Sequence, residues 1–231
     1  MPLYLLINLA VISLPLALSF DKKVHFYKKW KYFFPALFIT ASVFVAWDIG
    51  FTAIGAWGFN PEYHSDIYLI NLPFEEVLFF ITVPYASVFT YEVFKEYIQR
   101  DPLKVASKYI SYILVIVGWF MGIMFLQRIY TSITFTLLAL LIGYLEYKKF
   151  VHFGIFYLSY LVIIVPFLLV NGALTGLFTP EPIVWYNNNE NLGIRIFTIP
   201  VEDVFYGMLL ILTNVTFYEF FRQGKLNNER Y

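Results

Sequence analysis

Leu72-Pro73-Phe74-Glu75-Glu76-Val77-Leu78-Phe79-Phe80 opens a long apolar run, and 127 residues further on the pattern returns as Ile199-Pro200-Val201-Glu202-Asp203-Val204. In both copies a proline suited to a first helical turn precedes two adjacent acids and then an apolar helix. Tyr91-Glu92 recurs as Tyr218-Glu219 at the same offset. Upstream, Trp47-Asp48-Ile49-Gly50 sits where the second half has Val170-Asn171-Gly172, followed there by a longer loop. A pattern kept at one spacing marks a duplicated structural unit.

The apolar runs around these motifs set the fold class. Candidate spans are 3–20, 33–54, 74–94, 109–127, 131–147, 150–170 and 201–221, each near the ~20 residues a helix needs to cross ~30 Å of hydrocarbon. The first lacks the basic start and small-residue cleavage site of a signal peptide and reads as a retained helix. Composition agrees: 60% of the residues are hydrophobic and only 14% charged, against about 25% charged in soluble domains. This argues against an ordinary soluble enzyme and excludes disorder. A formal net charge of zero removes the electrostatic case for nucleic acid. The chain has no cysteine and only three histidines, so no disulfide framework, thiolate nucleophile or His-rich metal site is expected.

Basic residues orient the bundle. Lys22, Lys23, Lys28, Lys29 and Lys31 follow the first run. Lys95, Arg100, Lys104 and Lys108 follow the third, Lys148 and Lys149 the fifth, and Arg222, Lys225 and Arg230 the seventh. Only Arg128 and Arg195 fall on the other side, so fourteen of the 16 cations share one face. Positive loops stay cytoplasmic, which places the N-terminus outside and the C-terminus inside. An even number of spans would destroy this separation. The expected architecture is an all-α membrane protein with seven transmembrane helices. Residues 1–104 form one three-helix repeat, 105–128 a linker helix, and 129–231 a second repeat. One linker helix gives the repeats the same orientation, so they are parallel, and a site at their interface is expected.

The paired acids Glu75, Glu76, Glu202 and Asp203 complement a helix dipole wherever they occur. At the lipid boundary, twice and at matching positions, they are also candidates for chemistry, because ionisable groups at that depth are costly. Adjacent helical residues point about 100° apart, so the partner of either Glu75 or Glu76 should come from the other repeat or a neighbouring helix. An inter-repeat pair is expected between Glu75 and Glu202 or Asp203. Clustered carboxyls in a poorly hydrated pocket cannot all ionise, so one should keep its proton and act as an acid while a neighbour acts as base. Asp48, inside the second span with no cation in its own segment, is a third candidate, and Asn171 is its neutral counterpart. Glu92 with Lys95, and Glu219 with Arg222, read as local ion pairs three residues apart, and Glu146 beside Lys148 and Lys149 is read the same way. Trp30, Tyr32 and Tyr147 suit interface belts. Trp57, Phe59, Trp185 and Tyr186 in the outer loops, with Phe79, Phe80 and Tyr206 one turn below the acids, can line an apolar pocket that stabilises a cation or simply pack.

Together these motifs resemble the integral-membrane, non-flavin lycopene cyclase family. Trp47-Asp48, Trp57-Gly58-Phe59-Asn60-Pro61, Leu72 to Phe80 and Tyr91-Glu92 are similar to its first domain. Val184-Trp185-Tyr186-Asn187, Arg195-Ile196, Thr198 to Tyr206 and Tyr218-Glu219 are similar to its second. In some members the two domains are separate subunits; this chain resembles a fused form. Asp203 in place of a second Glu, and Asn171 in place of Asp48, depart from strict repetition and make the halves unequal. The resemblance implies a multi-pass protein of the cell membrane that converts lycopene to β-carotene, through γ-carotene, by acid-catalysed ring closure without net redox change. It implies no metal and no cofactor, and the sequence has no Gly-x-Gly-x-x-Gly fingerprint. Implied partners are lycopene and other acyclic carotenoids, the lipid bilayer, and a second copy of the chain or other carotenoid enzymes. Whether the carboxyls form one composite site or two, and which of them donates the proton, stays open, as does a β-ring against an ε- or γ-ring. Two rival readings share the seven helices. A retinal photoreceptor needs a Schiff-base lysine in the last span, and 201–221 has none. A proton-coupled small-solute transporter would use the same repeat and carboxylates, but needs a polar path that helices so rich in aromatics do not offer.

Overall fold

A computed structural model describes residues 1–228, with side chains to residue 223. Arg230 and the side chain of Lys225, both counted with the inner-face cations, lie outside the described residues. Seven α-helices occur among the described residues: α1 (Leu3–Leu18), α2 (Trp30–Ala53), α3 (Phe74–Tyr97), α4 (Ala106–Met124), α5 (Ile129–Tyr147), α6 (Phe153–Leu174) and α7 (Val201–Asn228). Six are long and apolar enough to cross a membrane. The first differs from expectation: α1 has 16 residues and ends at Leu18, where the Ser19 amide turns back to the Leu16 carbonyl. That is shorter than the ~20 residues a perpendicular crossing takes.

Short strands fill the two long loops at one end of the bundle. β1 (Trp57–Phe59), β2 (Tyr68–Leu69) and β3 (Leu72–Pro73) follow α2; β4 (Val184–Tyr186), β5 (Arg195–Ile196) and β6 (Ile199–Pro200) follow α6. The halves therefore share one element succession: two helices, a strand, a hairpin and a closing helix. The 127-residue offset holds in detail. Ile70 and Phe197 occupy the left-handed region at the two hairpin tips, with φ of 62° and 56°, which non-glycine residues seldom adopt. The Phe74 amide donates to the Ile67 carbonyl at 2.9 Å, and the Val201 amide to that of Ile194 at 3.0 Å.

The halves interlock at two levels. α2 packs more on α7 than on α3, and α6 more on α3 than on α7, so each middle helix leans on the other half's closing helix. β1 and β4 pair antiparallel with Gly58 opposite Trp185, residues that are themselves 127 apart. An antiparallel pair centred on equivalent residues is the contact a two-fold axis generates. A Cβ on Gly58 would enter the Trp185 indole. Gly58→Val is thus expected to pry the strands apart and lower stability by about 1–3 kcal/mol, as overpacking does; unchanged thermal unfolding in detergent would contradict this contact. α4 lies outside this interlock and packs against α5. There a Cβ on Gly118 would fall 2.8 Å from the Ala139 methyl and the Phe135 carbonyl oxygen, the close approach that small residues allow between apolar helices.

Candidate active site

The acids sit where the loop strands cap the helices. Pro73, extended at φ −56° and ψ 145°, is the N-cap of α3, and Glu75 and Glu76 fall in its first turn. Glu202 and Asp203 do the same in α7. Because successive residues are rotated by about 100°, the two members of each pair meet different surroundings. Glu76 and Asp203, the second acids, line one cavity together with Asp48 of α2. Glu75 and Glu202, the first acids, do not line it. Each accepts a loop amide instead: Ser65 N–H to Glu75 Oε1 at 2.8 Å and Leu192 N–H to Glu202 Oε1 at 2.7 Å. The Thr131 hydroxyl adds a second bond to Glu202 Oε1 at 2.6 Å. The inter-repeat juxtaposition thus runs through Glu76 and Asp203, not through Glu75.

Tyrosines and a tryptophan hold the cavity carboxyls. Tyr4 of α1 donates its hydroxyl to Glu76 Oε2, and Tyr130 of α5 donates to Asp203 Oδ1 at 2.6 Å. Asp203 Oδ2 also accepts from the Tyr186 hydroxyl at 3.0 Å and from Asn171 Nδ2 at 3.2 Å. Asp48 Oδ1 accepts the Trp57 indole N–H, while Asp48 Oδ2 is buried without a partner. So Asp203 has three donors over both oxygens, and Asp48 has one. The repeated sequence motifs do not point to Tyr4 and Tyr130. Their signal was present: Leu3-Tyr4 and Ile129-Tyr130 each open the first helix of a half. Burial, with Asp203 and Glu76 close by, pushes the Tyr186 phenol above its ordinary value, which keeps it a neutral donor.

Strand alternation sorts the loop aromatics. Trp57, Phe59, Val184 and Tyr186 line the cavity, whereas Gly58 and Trp185 fall on the other face, as successive strand residues must. Trp185 does not reach the acids and is 44% exposed. Phe79, Phe80 and Tyr206 do line the cavity, as does Phe167 of α6. The space left holds about 50 Å³, enough for a few water molecules. Among the described residues no lysine or arginine forms an ion pair with Asp48, Glu76 or Asp203. The two cations on this side are engaged elsewhere: Arg128 donates to the Asn188 carbonyl at 2.8 Å, and Arg195 to the Thr198 carbonyl at 2.6 Å.

At the opposite end of the bundle the local Glu92–Lys95 pair is present but long, and shorter pairs cross between the halves. Glu92 accepts from Lys29 at 2.6 Å and from Arg222 of the other half at 3.0 Å, while Lys95 lies 3.9 Å away. Lys95 pairs more closely with Glu219, which also takes the Tyr91 hydroxyl at 2.9 Å. The pairs cross because α3 and α7 run side by side, so each acid meets the other helix's cation. His152 lies 3.5 Å from Glu219; burial lowers its pKa despite that neighbour.

A protein-family model described as "Lycopene cyclase" matches residues 1–94 and 127–221. The two matched segments leave out α4 and hold every cavity acid. No curated protein and no solved structure matches the chain significantly.

Proposed function

We infer the activity of this chain from one premise: it belongs to the lycopene cyclase family. It is a carotenoid cyclase whose apolar helices suit a lipid environment. Its reaction is the conversion of lycopene to β-carotene through γ-carotene, an intramolecular isomerisation. The observation that carries the reading is three carboxyls, from both halves and without cation partners among the described residues, around one aromatic cavity. A proton delivered to C2 of the ψ end group leaves a tertiary cation at C1. The C5–C6 alkene closes on C1, moving the charge to C5, and loss of the C6 proton gives the β-ring. One proton enters and one leaves, so nothing is oxidised or reduced.

The chain's own groups suit those steps. Asp48, with an unpartnered buried oxygen, keeps a proton, since an ionised oxygen left without a donor there is costly. It shares the acid role with Glu76. Asp203, the most fully hydrogen-bonded of the three, serves as base. Phe79, Phe80 and Tyr206 present ring faces to the passing cation and keep water from quenching it. Glu75 and Glu202 position the outer loops over the site, and Trp185 packs the strand pair from outside.

The same reading treats the seven helices as seven spans, N-terminus out and C-terminus in, with residues 1–104 and 129–231 as parallel repeats and 105–128 as linker. The uneven cation distribution, the repeated element order and the Gly58–Trp185 pairing support it. Expression of the full chain in a lycopene-accumulating host, with pigment chromatography, tests the activity. β-Carotene with transient γ-carotene is expected. Lycopene left unchanged, with the chain present in the membrane, would overturn it.

A further inference from the structure

A second cavity adjoins the first. It is an apolar groove of about 520 Å³ between α1, α3 and α6, within the ~300–1,000 Å³ of ligand sites. Among the described residues no charged side chain lines it, and each helix contributes one alanine: Ala10, Ala86 and Ala173. Those small side chains leave the space open. Along α3 the lining runs from Val83 to Thr90. With Glu76 as origin and a rise of 1.5 Å per residue, the groove runs from about 10 to about 21 Å below the acids. Leu14 and Leu169 on its rim are strongly exposed, so it opens sideways toward the hydrocarbon around the helices.

The two cavities share one residue, Phe167. Its ring is seated against Gly207 of α7, where a Cβ would come within 2.9 Å of Phe167 Cζ. Gly207 lies one turn beyond Asp203 and also lines the acid cavity. Phe167 is therefore the wall between a water-sized acid chamber and a hydrocarbon-sized groove.

We propose that the α1–α3–α6 groove binds the polyene chain of the carotenoid, and that Phe167 is the positioning residue whose swing admits the end group to the acids. This rests on the cyclase reading for the identity of the ligand. The continuity through Phe167 singles out a long hydrocarbon with a reactive end over a lipid acyl chain, which would have no use for the acid chamber. The acid chamber by itself is far too small for such a molecule, so the rest of the substrate must lie outside it, and the groove is the adjoining space of matching chemistry. Lateral opening lets a bilayer-dissolved substrate enter without crossing water.

The test uses the purified full chain in detergent with lycopene as probe. Lycopene is achiral, so an induced circular-dichroism signal in its visible band reports a molecule held in a protein site. The wild-type chain is expected to give the signal. Ala86→Trp and Ala173→Trp, which fill the groove from two walls, should each weaken lycopene binding about tenfold or more while eluting and melting like wild type. If one variant fails to fold, the other decides. Phe167→Trp should keep the signal and cut cyclisation about tenfold or more. No signal from the wild-type chain, or equal signals from the groove variants, would overturn the groove; the latter would leave it to lipid. Unimpaired cyclisation by Phe167→Trp would overturn the gate. A groove-dependent signal with no ring product would uphold the groove and sink the cyclase reading instead.

Discussion

Glu76→Gln and Asp203→Asn are each expected to lower lycopene cyclisation by about 10²–10⁴-fold, the range that positioned acids and bases contribute. Both changes keep shape and a hydrogen-bonding oxygen; the first removes the proton that Glu76 gives, the second the carboxylate with which Asp203 accepts one. Glu75→Gln and Glu202→Gln, one residue away in the chain, should cost less than about tenfold, the size of one ordinary hydrogen-bond perturbation. The retained Oε1 still accepts the Ser65 or Leu192 amide. Pigment ratios in membranes carrying equal amounts of protein measure all four. Equal losses at first and second acids would defeat the division of labour drawn from the cavity lining. The Glu76–Asp203 double variant should lose less than the product of the singles, because one proton path needs both ends. Multiplicative losses would mean that the two act independently.

Glu92→Gln is expected to destabilise the bundle by about 3 kcal/mol, the low end for breaking a buried ion pair. Glu92 is buried, and its loss strands Lys29 and Arg222 together. The cations retain some access to water, with side chains 18% and 30% exposed, which softens the penalty. Thermal or denaturant unfolding in detergent measures it, and an unchanged midpoint would show that the crossed pairs contribute nothing. The site lies at the far end of the helices, so kcat in the folded fraction should stay close to wild type. A parallel loss of kcat would instead tie this end of the bundle to the chemistry.

Several features were legible in the sequence for direct physical reasons. Apolar runs of about twenty residues have few alternatives to helices, because every backbone polar group must be satisfied internally in lipid. The repeated Pro-x-Glu-Glu/Asp motif carried both the duplication and the acids. Other features were hidden because they depend on direction. Two adjacent glutamates look equivalent in a string, yet a rotation of about 100° sends Glu76 to the cavity and Glu75 to the loop. Glu92 and Lys95 satisfy the local spacing rule, but α7 brings Arg222 nearer to Glu92. Trp185 sits beside Tyr186 in an aromatic loop and looks equivalent to it in the string, yet strand alternation turns it outward.

The helical membrane class, the two-fold repetition, the family and the acids as the place to look are all readable from the string of residues. Those properties follow from composition and from order along the chain. The packing of the helices selected which acids share a cavity and brought Tyr4 and Tyr130 to hold them. It also decided that the ion pairs cross between halves and that Phe167 separates the acids from an apolar groove. Each of these depends on which faces of different helices meet. That is fixed by packing between segments far apart in the chain, 72 residues for Tyr4 and Glu76 and 128 for Tyr91 and Glu219, and local patterns carry no information about it.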